Sequence, residues 1–406
     1  MIEPKLRFKA DDGSQFPDWE EKVFGDFVDT HLEKTSDKDK YPLYSLTIES
    51  GVQPKTDRYE REFLVKKEGD NYKIVPPNAF VYNPMNLRFG ALKVNHEKFS
   101  VSVSGYYDVF SLKDNSVLAF WENYLVTPKM LNYYFSIATG SLIEKLRVHY
   151  SQFVKIKKPL PSLPEQQKIA EFLSTIDTVI EKQKGTVVAW EERRKGVMQK
   201  LFSQEVRFKA DDGSDFPEWE EKKLGEVFKI STETNGDRYS KQEVLSVSDE
   251  YGVVNQIELQ GRSFAGNDIS KYKVVKTGQL IYTRSPLATK PFGIIKIVDE
   301  KIGIVSPLYI VNDVRENNCS MFWYYNFDTP ERTNNYLKPL VRMGAKHTMN
   351  ISNEEWLSGR VLSPCLAEQQ KIADCISSMD EVIGKQKATL AAWEELKKGL
   401  LQQMFV

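Results

Sequence analysis

A chain of 406 residues, 41% hydrophobic, 12% aromatic and 28% charged, is long enough for two or three domains with real cores and too apolar for bulk disorder. Its formal net charge of −1 argues against holding nucleic acid by bulk electrostatics alone. No apolar run approaches the ~18 residues that span a bilayer, and Met1-Ile-Glu-Pro-Lys5 lacks the apolar stretch of a secretory signal, so a cytoplasmic protein is expected.

The chain opens on Leu6-Arg-Phe-Lys-Ala-Asp-Asp-Gly-Ser-Gln-Phe-Pro-Asp-Trp-Glu-Glu-Lys22, which returns almost unchanged as Val206 to Lys222. Each copy reads as a turn leading into a domain, with Trp19 and Trp219 as packing anchors. A first insert follows, in which Tyr41 to Leu46, Ala79 to Tyr82 and Phe99 to Val103 have the short, β-branched or aromatic texture of strands, and Pro128 to Phe135 that of a helix.

After Pro164, the apolar positions Ile169, Leu173, Ile176, Ile180, Val187, Trp190, Val197 and Leu201 recur by threes and fours or their sums, which is a heptad seam. Gln183 interrupts the seam midway, where a polar residue fixes register and orientation. Such a helix runs about 38 residues, roughly 57 Å at 1.5 Å per residue, too long to be packed over one small domain.

The second insert repeats the strand texture at Val244 to Val247, Gly278 to Tyr282, Phe292 to Val298 and Ile302 to Val311, with a helical stretch from Cys319 to Asn326. Glu165-Gln-Gln-Lys-Ile-Ala170 returns as Glu368 to Ala373, opening a second seam: Ile372, Ile376, Met379, Ile383, Leu390, Trp393, Leu400 and Met404, with Gln386 midway. The first helix runs on into the next Arg-Phe-Lys-Ala, whereas the second reaches Val406, so the order is quasi-circular.

Two matched helices in one chain most simply pair with each other, and pseudo-two-fold symmetry makes them antiparallel. The fold class expected is α+β: two pseudo-symmetric α+β domains joined by two long helices forming an antiparallel coiled coil. The boundaries expected are 1–163 and 204–366 for the domains, with 164–203 and 367–406 for the helices.

With those motifs in place, the chain resembles the DNA-specificity subunit of type I restriction–modification systems. The resemblance rests on Pro17 to Gly25 and Pro217 to Gly225 at the start of each domain, on Pro159 to Ala170 at the end of the first, and on Leu362 to Ala373 at the end of the second. It covers essentially the whole chain, and four motifs in the right order with both helices are highly specific. It implies a non-catalytic subunit whose two target recognition domains each read one half of a bipartite, asymmetric site in double-stranded DNA. The helices would set the unread spacing and dock two methyltransferase subunits; the seam residues Ile169, Leu173, Ile176, Ile180, Gln183 and Trp190 on one helix and Ile372, Ile376, Met379, Ile383, Gln386 and Trp393 on the other are the candidates for helix pairing or partner docking. Translocase–endonuclease subunits would join that core. The chain itself would bind no cofactor; S-adenosylmethionine, ATP and Mg belong to the partners.

The resemblance does not say which residues read bases, because that part varies. Base edges are read by Arg, Lys, Asn and Gln, often from loops. Candidates in the first insert are Asn86, Arg88 and Lys93 in the loop Tyr82 to Lys93, with Arg58, Lys145 and Arg147 weaker. In the second they are Arg284 and Lys290, and Arg342, Lys346, His347 and Asn350. Arg262 to Val298 carries seven basic residues against Asp268 alone, Lys145 to Lys158 carries five without an acid, and Arg332 to Lys346 is likewise acid-free. Such stretches are either a DNA-reading face or ordinary solvated strand faces.

Catalytic signals are weak. Tyr82-Asn-Pro-Met85 lacks the second proline and the aromatic of an adenine methyltransferase motif, and no glycine-rich cofactor loop precedes it. There is no Walker A sequence. His31, His96, His149 and His347 have no metal-ligand spacing. Cys319, Cys365 and Cys375 read as reduced, incidental thiols. A free-standing methyltransferase or nuclease would need those motifs; a coiled-coil scaffold without sequence-specific DNA binding is the alternative that would not.

Overall fold

The computed structural model describes residues 4–48, 51–55, 72–114, 117–142, 145–284, 286–299, 302–343 and 349–405. The chain divides into two compact units, Met1–Thr186 with Lys387–Val406, and Val187–Gln386. The division cuts both long helices, Leu163–Phe202 and Leu366–Met404. Each unit therefore holds one α+β domain, the opening half of one helix and the closing half of the other.

The two inserts, unalike in sequence, fold alike. In the first unit a four-stranded antiparallel sheet has the order Val28–Thr30, Asp108–Leu112, Phe80–Tyr82, Leu92–Val94. In the second the same order is filled by Phe228–Ile230, Ile310–Val314, Leu280–Thr283 and Ile294–Ile297. Phe80–Tyr82 and Leu280–Thr283 are buried along their whole length, which is why they read as unbroken apolar runs. Each unit adds a hairpin, Tyr44–Thr47 with Gly51–Pro54 and Leu245–Ser248 with Gly252–Asn255. The strands flanking each insert close into a ribbon, Glu20–Val23 against Lys157–Leu160 and Glu220–Lys223 against Arg360–Ser363.

One expected strand is divided. Ile302 to Val311 splits into Gly303–Val305, paired with Lys273–Val275, and Ile310–Val314 in the main sheet. The break is a tight turn in which the Tyr309 N–H donates to the Ser306 carbonyl at 3.0 Å, with Pro307 at the position its fixed φ favours.

The repeated frames prove to be two sides of one clasp. The guanidinium of Arg7 donates from Nε and Nη2 to the two carboxylate oxygens of fully buried Glu165, at 3.0 and 2.8 Å. Arg207 grips Glu368 in the same way at 3.1 and 2.9 Å. The next residue, Gln166 or Gln369, donates to the carbonyl of Pro161 or Pro364, at 2.9 and 3.0 Å. Each clasp also reaches the far end of the other helix, through Leu6 N–H to Gln403 O and Val206 N–H to Lys200 O. A buried carboxylate is tolerated only when paired and hydrogen-bonded, so the Glu-Gln-Gln sequence and the Arg-Phe-Lys-Ala sequence must change together.

Candidate nucleic-acid interface and helix seam

Ile169, Leu173, Ile176 and Ile180 are buried, as are Ile372, Ile376, Met379 and Ile383. Gln183, Trp190, Gln386 and Trp393 are half-buried. The helix ends serve a second purpose that heptad spacing does not reveal. Ile169 and Leu173 belong to the first domain's core with Trp19, Phe120 and Trp121, and Met404 joins them from the second helix. Ile372 and Ile376 enter the other domain's core with Trp219, Phe322 and Trp323, together with Met198 and Leu201. The outer turns of the seam thus fasten each domain to its helices.

Within the first unit, Lys397 Nζ donates to Asp177 Oδ1 at 2.5 Å and Lys184 lies 3.9 Å from Glu394. One helix advances as the other retreats, so the halves run antiparallel. In the second unit, Arg194 and Asp380 occupy the matching positions, with guanidinium and carboxylate 2.5 Å apart. The close Nε–H is not aimed at an oxygen; the hydrogen bond comes from Nη2 at 3.3 Å.

The Arg194–Asp380 pair continues into the domain as a charge network of three cations and three carboxylates. Lys290 Nζ lies 2.6 Å from Asp249 and 3.7 Å from Asp328. Lys296 Nζ lies 3.0 Å from Asp328 and 3.2 Å from Asp249. Arg194 reaches Asp328 at 3.8 Å. The tyrosine hydroxyl of Tyr325 donates to Asp380 at 2.9 Å. Burial pushes the Asp249 carboxyl up, but the hydrogen bonds and charges of Lys290 and Lys296 outweigh it and hold the group below the ordinary carboxylate range. This corrects the expectation for Lys290: it is 4% exposed and neutralised inside the domain, with no face for DNA.

Other cations in the stretch from Arg262 to Val298 also have partners, though not buried charge pairs. Lys276 pairs with Glu233 at 2.6 Å and Lys273 donates to the Tyr309 carbonyl at 2.6 Å. Net-charge counting along the sequence missed these partners because Glu233, Asp249 and Asp328 lie outside the stretch.

In the first domain, Lys93 occupies the strand position that Lys296 holds in the second. It is half-buried and, with His96, Glu122, Asp177 and Lys397, lines an open cleft of about 1000 Å³ beside the helices. Burial pulls the Lys93 ammonium below its ordinary value, opposed by Glu122. His96 Nε2 lies 2.9 Å from Glu122, whose hydrogen bond raises the imidazole above its ordinary value against partial burial. Lys93 therefore lines the cleft between the domain and its helices. The expectation for Arg88 is corrected: it is buried beneath Phe89 and Phe135, with ring centroids 4.7 and 5.6 Å from its guanidinium carbon.

Other candidate segments are joined by backbone and side-chain hydrogen bonds. The Val148 N–H donates to the Pro84 carbonyl at 3.0 Å, joining the loop of exposed Asn86 to the segment of exposed Lys145 and half-buried Arg147. Arg147 lies over the Tyr106 ring at 5.3 Å. In the second domain, Arg284 Nη2 donates to the Ile351 carbonyl at 2.8 Å, next to Asn350, whose backbone pairs with that of Arg342. The Arg342 side chain is exposed and 2.9 Å from Glu355. Arg58, Lys346 and His347 lie outside the described residues. Among the described residues there is no cluster of three potential metal ligands, and no helix long and apolar enough to cross a membrane.

The residues missed from sequence are Arg7, Arg207, Asp177, Asp380, Arg194 and Lys397. One signal could have found them: each has a like-charged counterpart in the other repeat.

The comparisons with known proteins agree with this architecture. A profile for the type I restriction modification DNA specificity domain matches twice, at residues 17–188 and 217–392. A protein of Methanocaldococcus jannaschii named as the specificity subunit of type I restriction enzyme MjaX is 25% identical over 64% of this chain and 60% of its own length. The type I restriction enzyme MjaVIII specificity subunit of the same organism is 26% identical over 61% of each. The match thus spans about three fifths of the curated relatives' length. The crystal structure of a type I restriction–modification system S subunit from M. genitalium covers 100% of this chain and 99% of its own, with a TM-score of 0.55 at 13% identity, a likeness of fold. With two copies of the domain spanning most of its length, the chain belongs to the type I restriction modification DNA specificity domain family.

Proposed function

We propose that the chain is the non-catalytic DNA-recognition subunit of a type I restriction–modification complex in the cytoplasm. Each α+β domain reads one half of a bipartite, asymmetric site, and the helix pair sets the spacing and docks two methyltransferase subunits. Those partners supply S-adenosylmethionine chemistry, and translocase–endonuclease subunits with ATP and Mg complete the assembly. The observation that carries this reading is that two domains of one topology, on duplicated clasps and helices, display different loops. Two rigid readers at a fixed separation bind half-sites at a fixed spacing, and unlike readers need no palindrome. Flipping the target adenine falls to the methyltransferase.

The test is to exchange residues 23–158 for the same insert of another family member and map methylated adenines. One half of the methylated sequence should change; a change in both halves, or in neither, refutes modular reading. Matched seven-residue insertions in both helices, about 10 Å of added length, should lengthen the spacer by about three base pairs. An unchanged site with normal activity refutes the ruler.

A further inference from the structure

The second domain carries an exposed aromatic side chain on a backbone that is fixed from both sides. The short helix Gln256–Gln260 starts at Asn255, whose Oδ1 accepts the N–H groups of Ile257 and Glu258, and stops at Gly261 with φ 76°. The chain then passes through Arg262, Ser263 and Phe264. The Gln256 carboxamide braces this turn: Nε2 donates to Ser246 Oγ at 3.1 Å, while Oε1 accepts from Ser263 Oγ at 3.2 Å and from the Phe264 N–H at 2.6 Å. Ala265 packs against the small core of Val244, Val274 and Ile304. Yet the Phe264 ring is 57% exposed, with the Arg262 guanidinium 4.6 Å from its centroid.

Three observations give this ledge a role. Its core contains no residue of either long helix, unlike the main core of the domain, so it rides on the layer that does not pack on the seam. Among the described residues no carboxylate lies within ion-pair distance of Arg262, whereas Lys276, Lys290 and Lys296 of the same basic stretch are all neutralised. A guanidinium held near a ring and without a carboxylate partner keeps N–H groups free to donate to a base edge, and ordering it in advance lowers the entropy lost on binding.

We propose that Arg262 and Phe264 form a DNA-contacting element of the second domain. Phe264 packs against a base or sugar and Arg262 donates to a base edge of the half-site. This rests on the chain being a specificity subunit.

The test uses the complex reconstituted with its methyltransferase subunits and a duplex bearing its mapped site. Arg262→Ala and Phe264→Ala should each weaken binding about tenfold, with assembly and melting temperature unchanged. Arg262→Ala should relax base preference only in the half read by the second domain. Arg262→Lys, which keeps the charge but loses the planar fork, should relax it too. Variants that bind and discriminate like the wild type overturn the proposal, as does a uniform loss across all sequences or a loss of assembly, which would mark a phosphate or a protein contact instead. A wild-type complex without sequence preference overturns the parent reading as well.

Discussion

Removing the Asp328 carboxylate should selectively loosen the second domain. Asp328 lies within 4 Å of Lys290, Lys296 and Arg194, and the two lysines are almost fully buried. At an effective dielectric of about 20, Coulomb's law gives roughly 5.5 kcal/mol for the 3.0 Å contact and about 4.4 kcal/mol for each of the 3.7 and 3.8 Å contacts. Most of that is offset because Asp328 no longer has to be desolvated, and because Asp249 still faces both lysines. Breaking one side of a buried ion pair costs about 3–5 kcal/mol in comparable cases. Asp328→Asn, which keeps an acceptor oxygen, belongs at the low end, about 3 kcal/mol. With a denaturant slope of roughly 2–3 kcal/mol per molar, the urea midpoint of the second domain should fall by about 1 M. Hydrogen exchange across a urea series reads the two domains separately, and the first should be unaffected. Adding Lys296→Met should restore part of the loss, since it removes the stranded charge. A midpoint shift below about 0.3 M, or no recovery in the double variant, refutes a network held by mutual neutralisation.

Three other outcomes follow from the same geometry. Because the folded Asp249 carboxyl is held below its ordinary value, its contribution is present above the unfolded pKa, near 4, and is lost as pH falls through the lower folded value. Acid unfolding should therefore begin in the second domain, and Asp249→Asn should flatten that domain's stability profile below pH about 4. His96 has the opposite sign: raised by Glu122, it stabilises fully below its unfolded pKa of about 6.5 and loses that contribution as pH rises through the folded value. An NMR titration should place its midpoint above that of Glu122→Gln, and equal midpoints would discount the pair. Gly293 has φ 109°, and an added Cβ would lie 2.2 Å from the Thr283 carbonyl oxygen and 2.8 Å from the Tyr282 ring. Gly293→Ala should cost about 3 kcal/mol or more in thermal unfolding, whereas Gly266→Ala, with open space around it, should be nearly neutral.

The sequence by itself determined the architecture at the level of its repeats. Duplicated frames, two seams with matched glutamines and short apolar runs sufficed for two α+β domains on paired helices, because periodicity and chain order are local properties. The single run from Ile302 to Val311 misled, since a turn at Pro307 divides it between two sheets and only strand pairing reveals that. Charge was the least legible quantity. Lys290 and Lys93 look like surface cations along the chain, but whether a lysine is solvated depends on carboxylates far away in sequence, here Asp249, Asp328 and Glu122. Tertiary structure alone decided which basic residues, such as Lys290 and Lys296, are spent inside the fold and which, such as Arg262, have no carboxylate partner among the described residues. It also decided that Arg7 and Glu165, 158 residues apart, are the two halves of one clasp. Ion pairing is set by distance in space and by burial, and neither is encoded in the local pattern from which helices and strands are read.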